Sequence, residues 1–337
     1  MAVSRIALRG KTDMKAIVVH ENGGPEKLSF EDIEQPEVGT DDVLVKVEVA
    51  GVNFIDTYHR SGIAGYGLEL PFVPGNEGAG VVESTGPDVD GFKSGDRVAW
   101  AMSLGSYSEY AAVPSSKLVV LPSGVSTTQG AAVMLQGMTA HYLASSTFPL
   151  QSNHTCVIHA GAGGVGLLLT QLAKRRGAAV ITTVGTEAKA ELSRNAGSDH
   201  VILYRDQDFK QEVMRITDDE GVEVVYDSVA KETAMNSLAC LKRRGTLVLF
   251  GNASGHAPAI DPLYLSQNGS LYVTRPTLAD HMYSRQDLEW RAGDLFRMLG
   301  EGDLDLRMEH EFQLADAAEA HRQLEGRLTT GKVLLNV

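Results

Sequence analysis

The chain has 337 residues, 43% of them apolar and 22% charged, with 35 glycines and 11 prolines, which excludes disordered, collagen-like and fibrous classes and leaves room for two domains. Acidic residues outnumber basic ones 43 to 30, giving a formal charge of −13, so a phosphodiester backbone meets repulsion and nucleic acid is not expected as a main partner. The two cysteines, Cys156 and Cys240, lie far apart inside apolar stretches. They can build neither a disulfide framework nor a CxxC metal site, and the chain is expected to be reduced and cytoplasmic.

The opening MAVSRIALRGKTD has no apolar core or cleavage pattern and reads as a frayed terminus rather than a targeting segment. From Met14 to about Leu121 the pattern is short strands and glycine-rich turns, an all-β unit. Val43, Val45, Val47 and Val49 alternate with Leu44, Lys46 and Glu48, so one valine face points inward. Gly78 to Thr85, Asp96 to Met102 and Tyr107 to Pro114 read the same way. Leu118 to Ala173 holds no Asp, Glu, Lys or Arg, but Pro122, Gly124, Gln136, Gly137 and Pro149 interrupt it. No 18-residue apolar run exists, so no membrane span is expected and burial at a domain junction is.

From about Thr155 the rhythm becomes strand, helix, strand. TCVIHA, AAVITTV, HVILY, VEVVYDSV, TLVLFG and SLYVT are apolar runs of strand length with helical segments between the first three pairs, which specifies a doubly wound parallel sheet. After Asp280, Leu288, Ala292, Leu295, Phe296 and Leu299 form a helical stripe. KVLLNV ends the chain as a strand expected to return to the first domain.

Gly161, Gly163 and Gly166 spell G-x-G-x-x-G between the strand TCVIHA and the helix LLLTQLAKRRG, a context that makes the motif strong. The first glycine permits the tight turn, the second lets backbone approach a pyrophosphate, and the third lets helix pack on strand. Where NAD enzymes carry an acid at the end of the second strand, this chain reads Gly185, Thr186, Glu187, Ala188, Lys189. A lysine one turn into the helix favours a 2′-phosphate, hence NADPH, with Glu187 serving the helix dipole.

GVNFIDTYHRSG (51 to 62), PGNEGAGVV (74 to 82), HAGAGGVG (159 to 166), VGTEAK (184 to 189), VVYDSV (224 to 229), LFGNASG (249 to 255) and GSLYVTRP (269 to 276) occur in this order. Through them the chain resembles the zeta-crystallin-like quinone oxidoreductases of the medium-chain dehydrogenase/reductase superfamily, from about Met14 to its end. Zinc alcohol dehydrogenases of that superfamily carry a cysteine and a histidine where this chain has Asn53 and Asn76, and carboxamides are poor zinc ligands. No metal is expected. A quinone or conjugated enone spreads the incoming charge, so orientation plus neutral donors suffices. Asn53 and Tyr58, in the loop where zinc ligands would begin, are the candidate catalytic donors. His59, His141 and His159 are read as structural, and Asp227 as a group that caps or orients backbone.

The resemblance implies a GroES-like β domain from residues 1–136 and 274–337 that holds substrate, and a Rossmann NADP-binding domain of residues 137–273. For the cofactor it implies Thr139, Gly164, Val165 and Tyr204, beside Asn53 and Tyr58. Phe250, Gly251, Asn252 and Ser254, with Thr274, Arg275 and Arg327, would surround the nicotinamide half and the phosphates. Ala230 stands where similar chains often have glycine, and Gln136 where lysine is common. The expected activity is NADPH-dependent reduction of a quinone. An alkenal, enone or acrylate double-bond reductase is the alternative, and a structural or RNA-interacting NADPH binder is the alternative of another class. A homodimer joined through the SLYVT edge is expected.

Overall fold

The computed structural model describes residues 13–337; the basic tail of residues 1–12 lies outside the described residues. The chain opens with β1 (Asp13–Val19), β2 (Leu28–Glu34) and β3 (Asp42–Val52), then α1 (Phe54–Ser61), β4 (Glu77–Thr85), β5 (Arg97–Ala101), β6 (Tyr110–Pro114) and β7 (Leu118–Val120). In β3 Val43, Val45, Val47 and Val49 are buried and Lys46 and Glu48 are exposed, as the alternation requires, but Leu44 on the opposite face is buried as well. The first unit is not all β, because α1 forms where the sequence suggested loop. Asp56 in its first turn accepts the Asn53 N–H at 2.8 Å, and Gly62 ends it at a φ of 65°, conditions that start and stop a two-turn helix.

The long helix α2 (Thr127–Tyr142) follows and runs into a π turn, Leu143–Thr147. Ser126 caps it: its hydroxyl takes the Gln129 N–H at 3.1 Å and Gln129 Oε1 takes the Ser126 N–H at 2.9 Å. Eleven of its sixteen residues are buried, from Gly130 to Tyr142, which accounts for the charge-free stretch as a helix walled in by other elements.

The second unit alternates β8 (Thr155–His159), α3 (Gly164–Arg175), β9 (Ala179–Val184), α4 (Glu187–Asn195), β10 (His200–Leu203), α5 (Phe209–Ile216), β11 (Val222–Asp227), α6 (Ala234–Ala239), β12 (Leu241–Leu249), α7 (Pro262–Gln267) and β13 (Tyr272–Thr274). The strand order β10-β9-β8-β11-β12-β13, all parallel, reverses direction of progression at β8. That switch point is where a doubly wound sheet binds a dinucleotide. Two strips of apolar residues from the sheet bury against helices on either face.

The chain then returns. After α8 (Leu278–His281) and α9 (Arg285–Glu301) come β14 (His310–Gln313), α10 (Ala317–Glu325) and β15 (Val333–Asn336). Strand β15 lies between β14 and β3, so the last residues complete the seven-stranded sheet that β3 begins, while β1 and β2 pair with each other as a separate two-stranded sheet. Leu288, Ala292, Leu295 and Phe296 bury the expected stripe of α9. Among the described residues no helix is long and apolar enough to cross a membrane.

Candidate functional site

A cavity of about 470 Å³ opens between the two sheets. Its floor is the glycine loop. The Gly161 N–H is tied to Thr183 O at 3.1 Å and the Gly163 N–H to Ala160 O at 2.8 Å, which holds the turn at the end of β8. Gly163, the N-cap of α3, has no side chain to satisfy the first-turn N–H groups, so those groups and the helix dipole are available to an anion. A Cβ on Gly166 would stand 2.2 Å from Ala160 O, so only glycine lets α3 sit this close to the strand. Gly163, Gly164, Val165 and Gly166 all line the cavity; Gly161 supports it from behind.

At one end stand Gly185, Lys189, Tyr204 and Arg327. Lys189 Nζ donates to Arg327 O at 2.6 Å, a backbone carbonyl rather than a carboxylate. Partial burial, then the neighbouring Arg205 and Arg327 cations, holds the Lys189 ammonium below its ordinary range. Glu187, in the first turn of α4, is bound to Arg194 at 2.6 Å. Thr186 accepts the Lys189 N–H at 3.4 Å as the cap of α4 and does not line the cavity. Sequence reasoning missed Arg205; its signal was its place directly after Tyr204, beyond the end of β10. Lys189 and Arg327 in the cavity wall, with Arg205 beside Gly185 just outside it, fit the 2′-phosphate of NADPH, although Arg327 also stands 3.7 Å from the Glu232 carboxylate.

At the other end the wall is Asn53, Tyr58, Thr139, Phe250, Gly251 and Arg275, with Phe54, Tyr66, Met102, Tyr142 and Leu278 making it largely apolar. Tyr58 projects from α1, and its hydroxyl accepts the Asn252 N–H at 3.0 Å, which leaves the phenolic proton free to donate. Burial pushes this phenol up to about 12, so it stays protonated. Tyr66 was not read from the sequence: it lies 5.1 Å from Tyr58, ring to ring, and its hydroxyl takes a 3.0 Å bond from Arg275.

The structure assigns Asn53 a different part from that expected. Its Nδ2 donates to Glu77 Oε2 at 2.8 Å and Gly51 O at 3.3 Å, while its Oδ1 accepts from Gln136 Nε2 at 3.1 Å and Lys332 Nζ at 3.0 Å. No N–H of the carboxamide is left for a substrate. Asn252, Ser254 and Thr274 also stand off the cavity wall: Asn252 supports Tyr58 through its N–H, and the Ser254 hydroxyl donates to Val229 O at 2.7 Å.

The donor set does not fit a zinc ion. Asn53 is committed as above, beside an ammonium, and Asn76 Nδ2 is held by Asp56 at 2.7 Å and His59 Nδ1 at 3.2 Å. Among the described residues no three His, Cys, Asp or Glu side chains are grouped to share a metal. His159 reaches the cavity but spends its ring on Thr183 at 2.8 Å and Ser237 at 3.0 Å, and His141 pairs with Asp294 at 3.1 Å. Asp227 accepts the Val229 and Ala230 N–H groups at 2.8 and 2.9 Å, a backbone role. It holds Ala230 at a φ of 72°, the left-handed conformation that glycine adopts without strain.

On the inner side of α1, Asp56 is fully buried and accepts from Asn53 N at 2.8 Å, Asn76 N at 3.1 Å, Asn76 Nδ2 at 2.7 Å and Tyr107 Oη at 3.3 Å. Burial raises its carboxyl to about 6, against the opposing pull of Asn76 and the Asn53 N–H. The folded chain therefore holds this proton more tightly than the unfolded chain. The stability it brings is fully present below about pH 4 and is lost as pH rises through 6, about 3 kcal/mol for a carboxyl moved that far. Urea unfolding of wild type and Asp56→Asn from pH 4 to 7 checks this. Wild type should lose about 2 to 3 kcal/mol relative to the variant across that window; a constant difference contradicts it.

With known proteins the agreement is extensive. The zinc-binding dehydrogenase family matches residues 164–295 and the alcohol dehydrogenase GroES-like domain family residues 39–123. A quinone oxidoreductase of Pseudomonas aeruginosa is 45% identical over 317 residues, 93% of this chain and 96% of the relative. A 2-haloacrylate reductase of a Burkholderia species is 40% identical over 326 residues, 95% of this chain and 98% of the relative. The quinone oxidoreductase of Escherichia coli, solved in complex with NADPH, superposes with a TM-score of 0.93 at 39% identity, covering 96% of this chain and all of that one.

Proposed function

The chain belongs to the quinone oxidoreductases of the medium-chain dehydrogenase/reductase superfamily, and from that membership we propose that it reduces a quinone with NADPH and without a metal. One observation carries the reading: a glycine-loop helix N-terminus and a hollow lined by Lys189 and Arg327 face the same largely apolar cavity as a protonated tyrosine. NADPH, when bound, supplies hydride, two electrons and a proton nucleus, to the quinone; a second proton from solvent completes the hydroquinone.

The protein's own part is binding and orientation. The free N–H groups at the start of α3 hold the pyrophosphate, and Lys189, Arg205 and Arg327 hold the 2′-phosphate. Gly163, Gly164, Val165, Gly166 and Gly185 give the cofactor backbone access, and Thr139, Tyr204, Phe250, Gly251 and Arg275 wall it. The apolar faces of Phe54, Tyr66, Tyr142 and Leu278 exclude water from the acceptor's ring. Tyr58 donates its hydrogen bond to the acceptor oxygen as charge develops there, with Asn252 holding the phenol from the other side. Asn53 keeps the wall in shape.

Tyr58 tunes this step and does not carry it, because the acceptor delocalises charge and water delivers the last proton. A general acid contributes about 10² to 10⁴-fold, and Tyr58→Phe should lower kcat by less, roughly 3 to 30-fold, with folding verified by circular dichroism. A loss beyond about 10³-fold would make Tyr58 an obligatory acid. The likeness to a 2-haloacrylate reductase supports a second reading, reduction of an activated C=C bond. A panel of quinones, enones and acrylates with saturating NADPH separates the two; turnover confined to the double-bond substrates would replace the first by the second.

The division into a substrate domain of residues 1–136 and 274–337 and a nucleotide domain of residues 137–273 belongs to the same proposal. It rests on the two sheets and on β15 lying between β14 and β3. So do a cytoplasmic location and a homodimer through β13, an edge strand whose Tyr272 is 58% exposed.

A further inference from the structure

Behind the part of the cavity wall formed by Asn53 and Gln136 lies a buried ion pair, Lys332 with Glu77, 3% and 0% exposed at the side chain. Glu77 opens β4, and Lys332 directly precedes β15. One Glu77 oxygen accepts the Leu135 N–H at 2.5 Å; the other accepts Asn53 Nδ2 at 2.8 Å as well as the Lys332 ammonium. Lys332 Nζ also donates to Asn53 Oδ1 at 3.0 Å, the same oxygen that takes Gln136 Nε2 at 3.1 Å.

The Asn53 carboxamide is thus gripped with its NH₂ on a carboxylate and its C=O on an ammonium. A flip would turn both ends onto like polarity inside a low-dielectric interior, where such contacts are strong. Gln136 is held less firmly: its Oε1 is buried without a partner, so its only side-chain bond is the one to Asn53 Oδ1, beside the glycine loop at Gly164. One residue before Lys332, the Gly331 N–H reaches across to Ala162 O in that loop at 3.0 Å. The segment that carries the ammonium is therefore docked on the phosphate-binding turn.

We propose that Lys332 is a positioning residue for hydride transfer: its buried ammonium, balanced by Glu77, locks the Asn53 carboxamide in the cavity wall beside the glycine loop, so that cofactor and acceptor meet a wall of one fixed shape. The proposal rests on the assignment of this cavity to NADPH. What matters in it is the place of the ammonium, beside Asn53 Oδ1, and not the strand that delivers it. Position 136 approaches that same oxygen from α2, so a lysine there can bring the charge from the opposite side.

The test compares wild type, Lys332→Met, Lys332→Met with Gln136→Lys, and Lys332→Met with Glu77→Gln. Four quantities are read: the melting temperature of the apoprotein, the NADPH dissociation constant, the emission of bound NADPH, and kcat and KM with a quinone. Lys332→Met should lower the melting temperature by about 5 °C or more, since it strands the Glu77 charge. It should lower kcat roughly 10 to 100-fold through misplacement and shift the emission of bound NADPH, with NADPH affinity within about threefold of wild type. Adding Gln136→Lys should return kcat to within about threefold and restore the emission.

If Lys332→Met does not fold, the neutral pair Lys332→Met with Glu77→Gln removes the stranded charge, and it should show the same loss of kcat. Wild-type kcat in either variant overturns the proposal. A relocated lysine that restores melting but not kcat also overturns it, and makes Lys332 a strand anchor. Wild type that binds NADPH but reduces no quinone contradicts the functional reading alone. The emission of bound NADPH then decides: it must change in Lys332→Met and return with Gln136→Lys, and failure of either overturns the positioning role.

Discussion

Replacing Lys189 by alanine should raise the NADPH dissociation constant roughly 10 to 100-fold while leaving that of NADH within about twofold. A hydrogen bond to a charged group contributes about 1.5 to 3 kcal/mol, and each 1.4 kcal/mol is tenfold. Lys189 Nζ bonds a carbonyl, Arg327 O, and Arg205 and Arg327 press on it as like charges. An arriving 2′-phosphate relieves that repulsion, which NADH lacks the group to do. Fluorescence titration of both cofactors checks the result; equal losses for the two would mean that Lys189 supports the fold of this corner and not the phosphate.

Gly166→Val should weaken both cofactors alike, by about 10²-fold or more. The new Cβ would lie 2.2 Å from Ala160 O and 3.0 Å from Gly161 Cα, all of it backbone with no side chain to swing aside. Relief requires α3 to move off β8, carrying its N-terminal N–H groups away from the pyrophosphate, which loses one or more charge-assisted bonds of about 1.5 to 3 kcal/mol each. Forcing methyl groups into a packed contact costs about 1 to 3 kcal/mol of stability besides. The same titrations, with thermal melting, check it. Undiminished binding would mean that the loop does not hold the phosphates, and loss for NADPH alone would put the 2′-phosphate site here.

The contrast between these two positions shows what could be read from the sequence. The glycine loop was legible because its strand, spacing and helix follow one another without interruption from Thr155 to Arg175, and the parallel sheet was legible because buried strands read as apolar runs. Lys189 was legible by its offset from the end of β9. The return of β15 to the first sheet was expected from the pattern, and its position between β14 and β3 needed the structure.

Other features depend on contacts that no local pattern encodes. Glu77 and Lys332 are 255 residues apart, and Tyr66 meets Arg275 across 209. Asn53 was singled out as a donor to substrate; it lines the cavity, but its four hydrogen bonds make it part of the frame. Ser254 lies in a matching block, yet its hydroxyl is spent on Val229 O. Helix α1 escaped because two turns of mixed apolar and polar residues, FIDTYHRS, carry no periodicity long enough to separate helix from loop. What forms it is the buried carboxylate of Asp56, which takes the N–H groups of Asn53 and Asn76.

On the proposed function, hydride passes directly from NADPH to a quinone bound in the cavity between the two sheets. The most direct measurement is a single-turnover reaction of the enzyme with NADPH and a quinone, repeated with NADPH deuterated in turn at each face of the nicotinamide C4. Direct transfer across one fixed wall predicts that the loss of nicotinamide absorbance is quinone-dependent, slows with deuterium on one face only, and places no deuterium in solvent before transfer. Absence of quinone-dependent oxidation, or an equal isotope effect from both faces, would contradict it.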